Sequence, residues 1–379
     1  MRVRLGDYIK EYSVKNKNNE DIPVYSVSNS LGFCKDYFGK EVASKNKTTY
    51  KIVPRGCFAY NPSRINVGSV DWQNKEEQVI VSPLYNVFSV SPLLDQQYLL
   101  YYLKSNVTLS RIKAVASGSV RDNLKLCMLY EFPIDLISLD QQYEVVSILN
   151  AVQKIIDLYQ KELSSLDELV RARFVEMFGD VGMGLFNYQT CKLGDVAKVG
   201  SSHRVFTTEF VESGIPFYRG TEIGELSNGK KPINLYYISE EHYKRLADDE
   251  TKPLIGDLLM PSICNKGQVW MVDSEEPFYY KDGRVLRISP NKEVFNSRFL
   301  QYFMREKTLV EYPKMGSGST FAEFKIFLLK DMDVLTPPLE LQNQFASFVQ
   351  EIDKSRSRIQ KLLEASQELF DSLMQEYFG

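Results

Sequence analysis

Residues 139–179 read LDQQYEVVSILNAVQKIIDLYQKELSSLDELVRARFVEMFG, and residues 339–379 read LELQNQFASFVQEIDKSRSRIQKLLEASQELFDSLMQEYFG. The two stretches align without a gap at an offset of 200 residues, and the alignment extends back to Gly118 and Gly318. Identities within it include Gln142 with Gln342, Lys154 with Lys354, Leu163 with Leu363, and Phe178-Gly179 with Phe378-Gly379. A repeat of this length predicts a duplicated domain that is followed by a duplicated helix.

Apolar residues recur in both copies at the spacing of a long amphipathic helix. The first copy has one row at Val145, Val152, Tyr159 and Leu166 and another at Leu149, Ile156, Leu163, Val170 and Met177. The second copy has Phe345, Ile352, Ile359, Leu363, Leu369, Phe370, Leu373 and Tyr377, interrupted by Ser355, Arg356 and Ser366. These rows predict helices of about 35–40 residues, about 55 Å long.

A long periodic helix needs an apolar partner, and the nearest partner is its own copy. We therefore expect an antiparallel coiled coil that sets the two globular domains at its opposite ends. Its contacts are predicted at Val145, Leu149, Val152, Ile156, Tyr159, Leu163, Ile352, Ile359, Leu363 and Phe370. Pro337-Pro338 marks the start of the second helix, and Gly179 stands where a glycine C-cap would end the first.

The fronts of the two halves match more loosely than the helices. Leu5-Gly6-Asp7 corresponds to Leu193-Gly194-Asp195, and Ile22-Pro23-x-Tyr25 corresponds to Ile215-Pro216-x-Tyr218. The offset grows along the chain, which places insertions in the early loops of the second half, where they are best tolerated. The predicted organisation is a globular domain over 1–135, a long helix over 136–180, a second globular domain over 181–333 and a second long helix over 334–379.

The globular halves have the pattern of a mixed α/β (α+β) fold. Alternating β-branched and aromatic runs predict strands over 78–81, 84–90, 254–260 and 285–288. Short amphipathic helices are predicted over 96–103 and 297–304.

Composition bounds the class of protein. The 379 residues are 44% hydrophobic and 25% charged, as in soluble globular proteins, and provide enough chain for two domains. The amino terminus lacks the apolar core of a signal peptide, and no stretch approaches the length of a membrane span. The five cysteines are scattered without CxxC spacing, so we expect reduced thiols in a cytoplasmic protein.

The net charge of −3 at first argues against a nucleic-acid partner. The charge is unevenly distributed, however, because residues 1–135 carry 18 Lys and Arg against 13 Asp and Glu, whereas acidic residues are in excess in both helices. A phosphate-binding face on the first domain is therefore allowed, although the charge does not require one.

Few residues have the pattern of a catalytic site. The chain contains two histidines and neither a Walker loop, a GxGxxG motif nor a paired-cysteine cluster. Asn61-Pro62-Ser63-Arg64 has some likeness to the Asn-Pro-Pro-Tyr box of adenine methyltransferases, but it lacks the final aromatic residue and a preceding glycine-rich cofactor loop. The alternatives are an ordinary turn after a strand and a DNA-facing loop, since Asn and Arg can contact adenine and guanine edges.

Glycine- and serine-rich loops recur at matching places, at 116–119 and 316–319. Each follows a helix with basic residues, among them Lys113 and Lys314. Small residues with free backbone N–H groups beside lysine suit a phosphate contact, and a flexible turn is the equally weighted alternative.

These features, taken in order, resemble the specificity subunit of a type I restriction–modification system. The features are the repeated Leu-Gly-Asp, the Ile-Pro-x-Tyr step, the loop from Asn61 to Gly68, the Gly-Ser turns and the Pro337-Pro338 start of the last helix. The resemblance covers essentially the whole chain. The first long helix departs from the pattern, since it starts at Ile137-Ser138 without prolines.

The resemblance implies a protein that is not an enzyme and that binds no cofactor or metal itself. Two target-recognition domains would each read half of a split, asymmetric DNA sequence, while the helices act as a ruler. The implied partners are double-stranded DNA, two modification (methyltransferase) subunits that use S-adenosylmethionine to methylate adenine, and restriction or translocase subunits that use ATP and Mg. Half-sites on one face of DNA lie about 34–36 Å apart, which a helix of about 55 Å can span.

With this resemblance, the DNA-contacting residues are predicted in the polar loops of each domain. In the first domain they are Asn61, Ser63, Arg64 and Asn66, with Lys113 and Ser117 on phosphate. In the second they are Arg219, Thr221, Ser262, Asn265 and Lys266, with Lys314 and Ser317 on phosphate. Two other hypotheses stay open: a coiled-coil module that binds proteins, and a recognition subunit for a different modifying or cleaving enzyme. A self-sufficient methyltransferase is the least favoured.

Overall fold

The computed structural model describes residues 1–35, 46–116, 123–248, 250–315 and 322–379. The chain divides into two compact units, the first formed by 1–162 with 359–379 and the second by 163–358. Each long helix therefore contributes to both units. Within the described ranges, no helix is long and apolar enough to cross a membrane.

The first unit is built mainly of short strands. Its strands are β1 (Arg2–Arg4), β2 (Ile9–Glu11), β3 (Ser26–Ser28), β4 (Gly32–Cys34), β5 (Lys51–Pro54), β6 (Phe58–Tyr60), β7 (Val70–Trp72), β8 (Gln78–Val81), β9 (Asn86–Val90) and β10 (Pro133–Asp135). Its helices are α1 (Gln96–Lys104), α2 (Asn106–Ala116), α3 (Leu126–Leu129) and the first part of α4 (Leu139–Phe178), with 3₁₀ turns at Leu5–Asp7 and Ile65–Val67.

A four-stranded antiparallel sheet in the order β2-β9-β6-β7 forms the centre of the first unit. β1 pairs with β10, β3 with β4, and β5 with β8, all antiparallel. One face of the central sheet shares a core with α1, where Phe58 and Phe88 stack with ring centroids 5.1 Å apart. The core also contains Val145 and Leu149 from α4.

Among the described residues, the second unit has more helices than the first. Its strands are β11 (Gly179–Asp180), β12 (Leu185–Phe186), β13 (Thr190–Lys192), β14 (Ala197–Gly200), β15 (Ile215–Tyr218), β16 (Tyr236–Ile238), β17 (Leu258–Pro261), β18 (Trp270–Met271), β19 (Tyr279–Tyr280), β20 (Val285–Pro290) and β21 (Asp333–Leu335). Its helices are α5 (Leu193–Val196), α6 (Gly220–Ser227), α7 (Glu240–Leu246), α8 (Ser297–Glu311), α9 (Ile326–Lys330) and the first part of α10 (Leu339–Phe378). Two 3₁₀ turns lie at Thr207–Glu209 and Tyr312–Met315.

The central sheet of the second unit repeats the topology of the first. Its antiparallel order is β14-β20-β17-β18, which corresponds strand for strand to β2-β9-β6-β7. β13 pairs with β21 as β1 does with β10. A separate sheet of β15, β16 and β19 has no three-stranded counterpart among the described residues of the first unit. The duplication therefore extends from the helices into the domains, and the mixed α/β class with two repeated domains is confirmed.

The predicted helices and strands agree with these elements in type. β8 coincides with the predicted strand over 78–81, and α1 and α8 begin where the amphipathic pattern begins. The strands predicted from residues 84 and 254 begin later, at Asn86 and Leu258. The prediction of a strand at position 254 is wrong because Leu254 opens a turn. Asp257 N donates to Leu254 O at 2.9 Å, and Leu254 N donates to Asp257 Oδ2 at 3.0 Å.

The two long helices are both 40 residues long, and both are single unbroken elements. α10 begins directly after Pro338, since proline is tolerated only before or within the first turn. α4 ends at Phe178, and Gly179 then adopts φ +97°, a left-handed conformation that glycine enters without strain. The predicted start of the second helix and the predicted end of the first are confirmed.

Within each unit the two helical segments run antiparallel. In the second unit the Phe345 ring lies 5.3 Å from that of Phe174, and Arg356 Nη2 lies 2.7 Å from Asp167 Oδ1. Residue numbers therefore fall along α4 as they rise along α10. In the first unit the start of α4 and the end of α10 share one core, which includes Leu149 and Phe378.

The heptad stripe is largely turned inward. Val145, Leu149, Val152, Ile156 and Ile359 are buried, whereas Tyr159, Leu163, Ile352, Leu363 and Phe370 are half-buried. The assignment of Leu369 to this stripe is wrong, because its side chain is 51% exposed. Phe370, the next residue, takes the inward position and lies 6.1 Å from the Tyr101 ring.

The Leu-Gly-Asp motif fastens the start of each domain to its end. Leu5 N donates to Phe132 O at 2.8 Å, and its counterpart Leu193 N donates to Met332 O at 2.9 Å. Gly6 is in such close contact with the chain after α3 that a Cβ atom would lie 2.6 Å from Tyr130 Cβ. The glycine is therefore required by lack of space.

We expect Gly6→Ala to destabilise the chain by about 1–3 kcal/mol through overpacking. Gly200→Ala is the matched control, because a Cβ atom at Gly200 meets nothing within 4 Å. Thermal unfolding of the purified variants, followed by circular dichroism, measures the difference. Equal melting temperatures for the two variants would contradict the close approach.

Candidate nucleic-acid interface

The two predicted clusters of DNA-contacting residues lie in equivalent hairpins. Asn61, Ser63, Arg64 and Asn66 lie in the loop between β6 and β7, and Ser262, Asn265 and Lys266 lie in the loop between β17 and β18. These strand pairs occupy the same positions in the two central sheets. We name the two connecting loops the first hairpin (residues 61–69) and the second hairpin (residues 262–269).

Each hairpin is held by one backbone hydrogen bond, and the two bonds are equivalent in the repeat. Leu124 N donates to Pro62 O at 3.1 Å, and Phe324 N donates to Ser262 O at 2.7 Å. The two donors and the two acceptors are each 200 residues apart, the offset of the helical repeat. The segment before α3 or α9 therefore braces the hairpin in each unit, so the loops have a fixed frame.

The first hairpin is ordered by hydrogen bonds of its side chains. Asn61 Oδ1 accepts from Ser63 N at 3.1 Å, and Ser63 Oγ donates to Asn123 Oδ1 at 2.6 Å. The loop then passes through the 3₁₀ turn and closes at Gly68, whose φ is +85°. An Asn-Pro turn opener is typical of this geometry, so the turn that the sequence suggests is present.

The side chains of the first hairpin point largely toward solvent. Ser63 and Arg64 are exposed, and Asn61 and Asn66 are half-buried. Below them Tyr60 is buried, its hydroxyl donates to Leu124 O at 3.1 Å, and burial raises the pKa of that hydroxyl. The hairpin thus presents an exposed guanidinium and half-buried amide groups, which are side chains that can contact base edges.

The second hairpin has a different set of side chains on the same frame. Asn265 and Lys266 are exposed, and Gln268 links them, because its Oε1 accepts from Lys266 N at 2.9 Å and its Nε2 donates to Asn265 Oδ1 at 3.3 Å. Burial raises the pKa of the Cys264 thiol beneath them to about 11, so that thiol stays protonated at neutral pH.

Ser262 does not fit a role in direct contact with DNA. Its side chain is only 2% exposed, because the residue lies at the braced base of the second hairpin, where its carbonyl accepts from Phe324 N. The structure gives it a supporting position. The sequence prediction included Ser262 as part of a polar loop, and residue polarity carries no information on the depth of a side chain.

The structure brings Arg219 and Thr221 to the second hairpin, although they lie some 40 residues earlier. They lie at the start of α6, which packs on β17 and β18. A Cβ atom at Gly220 would lie 3.1 Å from Pro261 Cβ, and one at Gly224 would lie 3.8 Å from Gln268 Cγ. Thr221 is exposed. The five second-domain residues predicted for base contact therefore share one region of the second unit.

The predicted phosphate contacts are placed only in part. Lys113 is exposed in the last turn of α2, a helix that packs on the 3₁₀ turn of the first hairpin. Lys314 is exposed in the 3₁₀ turn after α8, where Nζ lies 3.2 Å from Glu311 Oε1. Ser117 and Ser317 lie outside the described residues.

Two residues near Arg219 were missed from the sequence. Glu222 accepts hydrogen bonds from Arg219, and the Tyr236 ring lies against its guanidinium, with Cζ 4.6 Å from the ring centroid. The Arg219-x-x-Glu222 spacing could have indicated the first contact, since residues three apart face each other on a helix. Nothing local could have indicated Tyr236, because β16 reaches this position only through sheet pairing.

Comparison with known protein families matches both halves of the chain to the same family. The sequence matches the family described as the type I restriction modification DNA specificity domain over residues 4–168 and again over residues 187–366.

Two solved structures have a similar fold. One chain comes from a study of complex assembly and conformational transition of the type I R-M system; it has 16% identity and a TM-score of 0.59, covering 100% of this chain and 97% of that one. The other is the S subunit of the type I restriction–modification system from M. genitalium, with 14% identity and a TM-score of 0.57, covering 100% of this chain and 96% of that one. Identities this low establish the likeness of fold alone. The two family matches together span most of the sequence, and the chain therefore belongs to the family of type I restriction modification DNA specificity domains.

Proposed function

We propose that each unit of this DNA-specificity subunit reads one half of a bipartite, asymmetric DNA target through its hairpin. The observation that carries the proposal is the pair of equivalent hairpins, each in one family-matched half, with exposed basic and amide side chains on a braced frame. Arginine, lysine and asparagine are the side chains that pair with guanine and adenine edges in the major groove.

The difference between the hairpins supports an asymmetric target. The frames are the same, but the first hairpin carries Arg64 and Asn66, whereas the second carries Asn265 and Lys266 and lies against the start of α6. Base specificity depends on the side chains that reach the groove, whereas the frame fixes only their register. Two copies of one frame with different side chains therefore favour two different half-sites.

The long helices suit the role of a spacer. Each has 40 residues, which corresponds to about 60 Å of continuous helix, and each belongs to both units. A deletion or insertion within one of these helices would rotate the residues that follow it by 100° per residue about the helix axis. The equal length of the two helices therefore favours a fixed spacing between half-sites.

The chemistry belongs, in this proposal, to partner subunits. The chain acts as the non-catalytic recognition subunit in the cytoplasm, two modification subunits supply S-adenosylmethionine and methylate adenine, and any restriction subunit supplies ATP- and Mg-dependent translocation and cleavage. The family match supports the assignment to such a system, and the number of partner subunits is part of the proposal.

The test is single-molecule sequencing of adenine methylation in cells that carry this gene and the neighbouring methyltransferase gene. The matched control lacks this gene alone. A split motif with methylated adenine in each half, present only with this gene, is the expected result. An unchanged methylome with both proteins expressed would contradict the proposal and favour a protein-interaction module.

Within the first hairpin, Arg64→Ala should weaken specific DNA binding by about 1–3 kcal/mol and relax selection at one base pair. Lys113→Ala should instead weaken binding to all sequences alike, as loss of a phosphate contact does. Equilibrium binding of the assembled complex to the target duplex and its single-base variants distinguishes the two, with Lys10→Ala, exposed on β2, as the control. An Arg64 variant with unchanged affinity and selection would place the reading surface elsewhere.

A further inference from the structure

Arg219 is held in one orientation by a carboxylate that is itself buried. Glu222 is 5% exposed, whereas Arg219 is 40% exposed. Glu222 Oε2 accepts from Arg219 Nε at 3.1 Å, and Oε1 accepts from Nη2 at 2.6 Å. Oε2 also accepts from the Arg219 backbone N–H at 2.7 Å, so main chain and side chain are fixed by the same group. This is the two-point arginine–carboxylate pair, the most directional ion pair available to a protein.

An aromatic stack fixes the plane of the same guanidinium. Its Cζ lies 4.6 Å from the centroid of the Tyr236 ring, and that ring stacks on Phe210 at 4.8 Å with an interplanar angle of 25°. β16 carries Tyr236 opposite Phe217 of β15, and Arg219 follows two residues after Phe217. The strand pairing thus brings ring and guanidinium together. A cation on an aromatic face is attracted by the negative charge density of the ring.

The hydrogen bonds with Glu222 leave one edge of the Arg219 guanidinium for another acceptor. An arginine has five N–H groups, and the contacts with Glu222 use that of Nε and one of Nη2. The edge formed by Nη1 and the second N–H of Nη2 is not engaged by Glu222. That edge carries two parallel donors, the arrangement that matches the two acceptors O6 and N7 of guanine.

The position of Arg219 in the fold agrees with a contact to a guanine base. It lies directly before α6, whose Gly220 is in contact with Pro261 at the base of the second hairpin and whose Gly224 neighbours Gln268 within it. The start of α6 therefore lies against the second hairpin, on which Asn265 and Lys266 are exposed. The first unit has no counterpart, since the residue after its Ile-Pro-x-Tyr step is Ser26.

We infer that Arg219, oriented by Glu222 and Tyr236, reads a guanine in the half-site of the second unit. Arg219 is the specificity-determining residue, and Glu222 and Tyr236 are positioning residues that act through it. The inference rests on the proposed function and deepens it by naming the base class read at one position. A guanidinium that is already ordered loses less conformational entropy on binding, so the contact is more selective than that of a mobile lysine.

Glu222 is charged at neutral pH. Burial would raise its pKa, but the hydrogen bonds from Arg219 outweigh burial, and the net pKa is lowered from 4.5. A lowered carboxyl pKa means that the pair is fully formed above the ordinary pKa of glutamate and is lost only as the pH falls below it. The orientation of Arg219 is therefore constant across neutral pH.

The experiment is in vitro methylation, by the complex with its methyltransferase subunits, of a DNA library randomised within the second half-site. Wild type should select G·C at one position, and Arg219→Lys should lower that preference about 5- to 150-fold while the first half-site stays unchanged. Lysine keeps the charge but lacks the fork, so a phosphate contact would largely survive this change. Arg204→Lys is the matched control, because Arg204 also lies over a ring, that of Phe206, but reaches its carboxylate only through Nε.

Glu222→Gln and Tyr236→Leu should relax the same base pair as Arg219→Lys, with melting temperatures close to that of wild type. Unchanged selection in Arg219→Lys, or a loss of rate that is equal for all sequences, would overturn the guanine assignment. The second of these outcomes would assign Arg219 to a phosphate. Failure of the proposed function looks different, since wild type itself would then select no split motif.

Discussion

We expect Phe345→Ala to destabilise the second unit by about 3–5 kcal/mol, the usual cost of removing a fully buried phenyl ring. Phe345 lies on α10, is completely buried, and meets rings from α4 and α8. Its ring centroid lies 5.3 Å from Phe174, 5.7 Å from Phe178, 6.3 Å from Phe299 and 5.2 Å from Tyr302. All four contacts are edge-on, a geometry that aromatic pairs favour.

The size of the effect follows from the number of elements that this ring joins. α4, α8 and α10 all contribute rings to the cluster, so a cavity there cannot be filled by the movement of one side chain. Calorimetric unfolding of the purified chain measures the loss. Leu369→Ala on the same helix is the control, because Leu369 is 51% exposed and should change the stability by no more than about 0.5 kcal/mol. Similar shifts for the two variants would show that the aromatic cluster does not hold α10 in place.

The sequence predicts the long helices well because their signal is local and repeated. Apolar residues at heptad spacing determine both the helix and its inward face without knowledge of the rest of the chain. Pro338 and Gly179 then set the ends by backbone chemistry. The exception is Leu369, where pattern alone cannot choose between two adjacent apolar residues, and packing against Tyr101 selects Phe370.

The candidate site is predictable only in its residue types. Asn61 to Asn66 are recognisable as a polar turn, and the structure adds that Asn265 and Lys266 occupy the equivalent hairpin. That equivalence depends on strand order, which comes from contacts between distant segments. The burial of Ser262 and the contact of Tyr236 with Arg219 are likewise tertiary properties, so no pattern in the neighbouring residues reveals them.

For the two repeated glutamines, the sequence shows that the residue is identical in both copies but not which groups it contacts. Gln142 and Gln342 are identical across the repeat, and both are completely buried. Gln142 Oε1 accepts from Asp95 N at 2.8 Å, and its Nε2 donates to Leu93 O at 3.0 Å and to Ile137 O at 2.9 Å.

Gln342 repeats these three bonds in the second unit. Its Oε1 accepts from Asn296 N at 2.9 Å, and its Nε2 donates to Val294 O at 2.9 Å and to Pro337 O at 2.8 Å. Asp95 and Asn296 are the N-caps of α1 and α8, so one amide ties the first turn of a long helix to the capped start of the helix beside it. Both glutamines thus fix where a long helix meets its globular domain.

Replacement of either glutamine by leucine keeps the volume but leaves one buried N–H and two carbonyl groups without their partner. Because each unsatisfied buried group costs about 1–3 kcal/mol, we expect each variant to lose at least about 3 kcal/mol of stability, and the double variant to lose roughly the sum, since the two amides share no partner. The controls are Gln160→Leu on α4 and Gln344→Leu on α10, at exposed positions of the same helices. Thermal and urea unfolding measure the change. If Gln342→Leu melted within about one degree of Gln344→Leu, the buried amide would be a tolerated remnant of the duplication. A large loss of stability at both positions would mean that the repeat preserves the contact between helix and domain as strictly as it preserves the length of the helix.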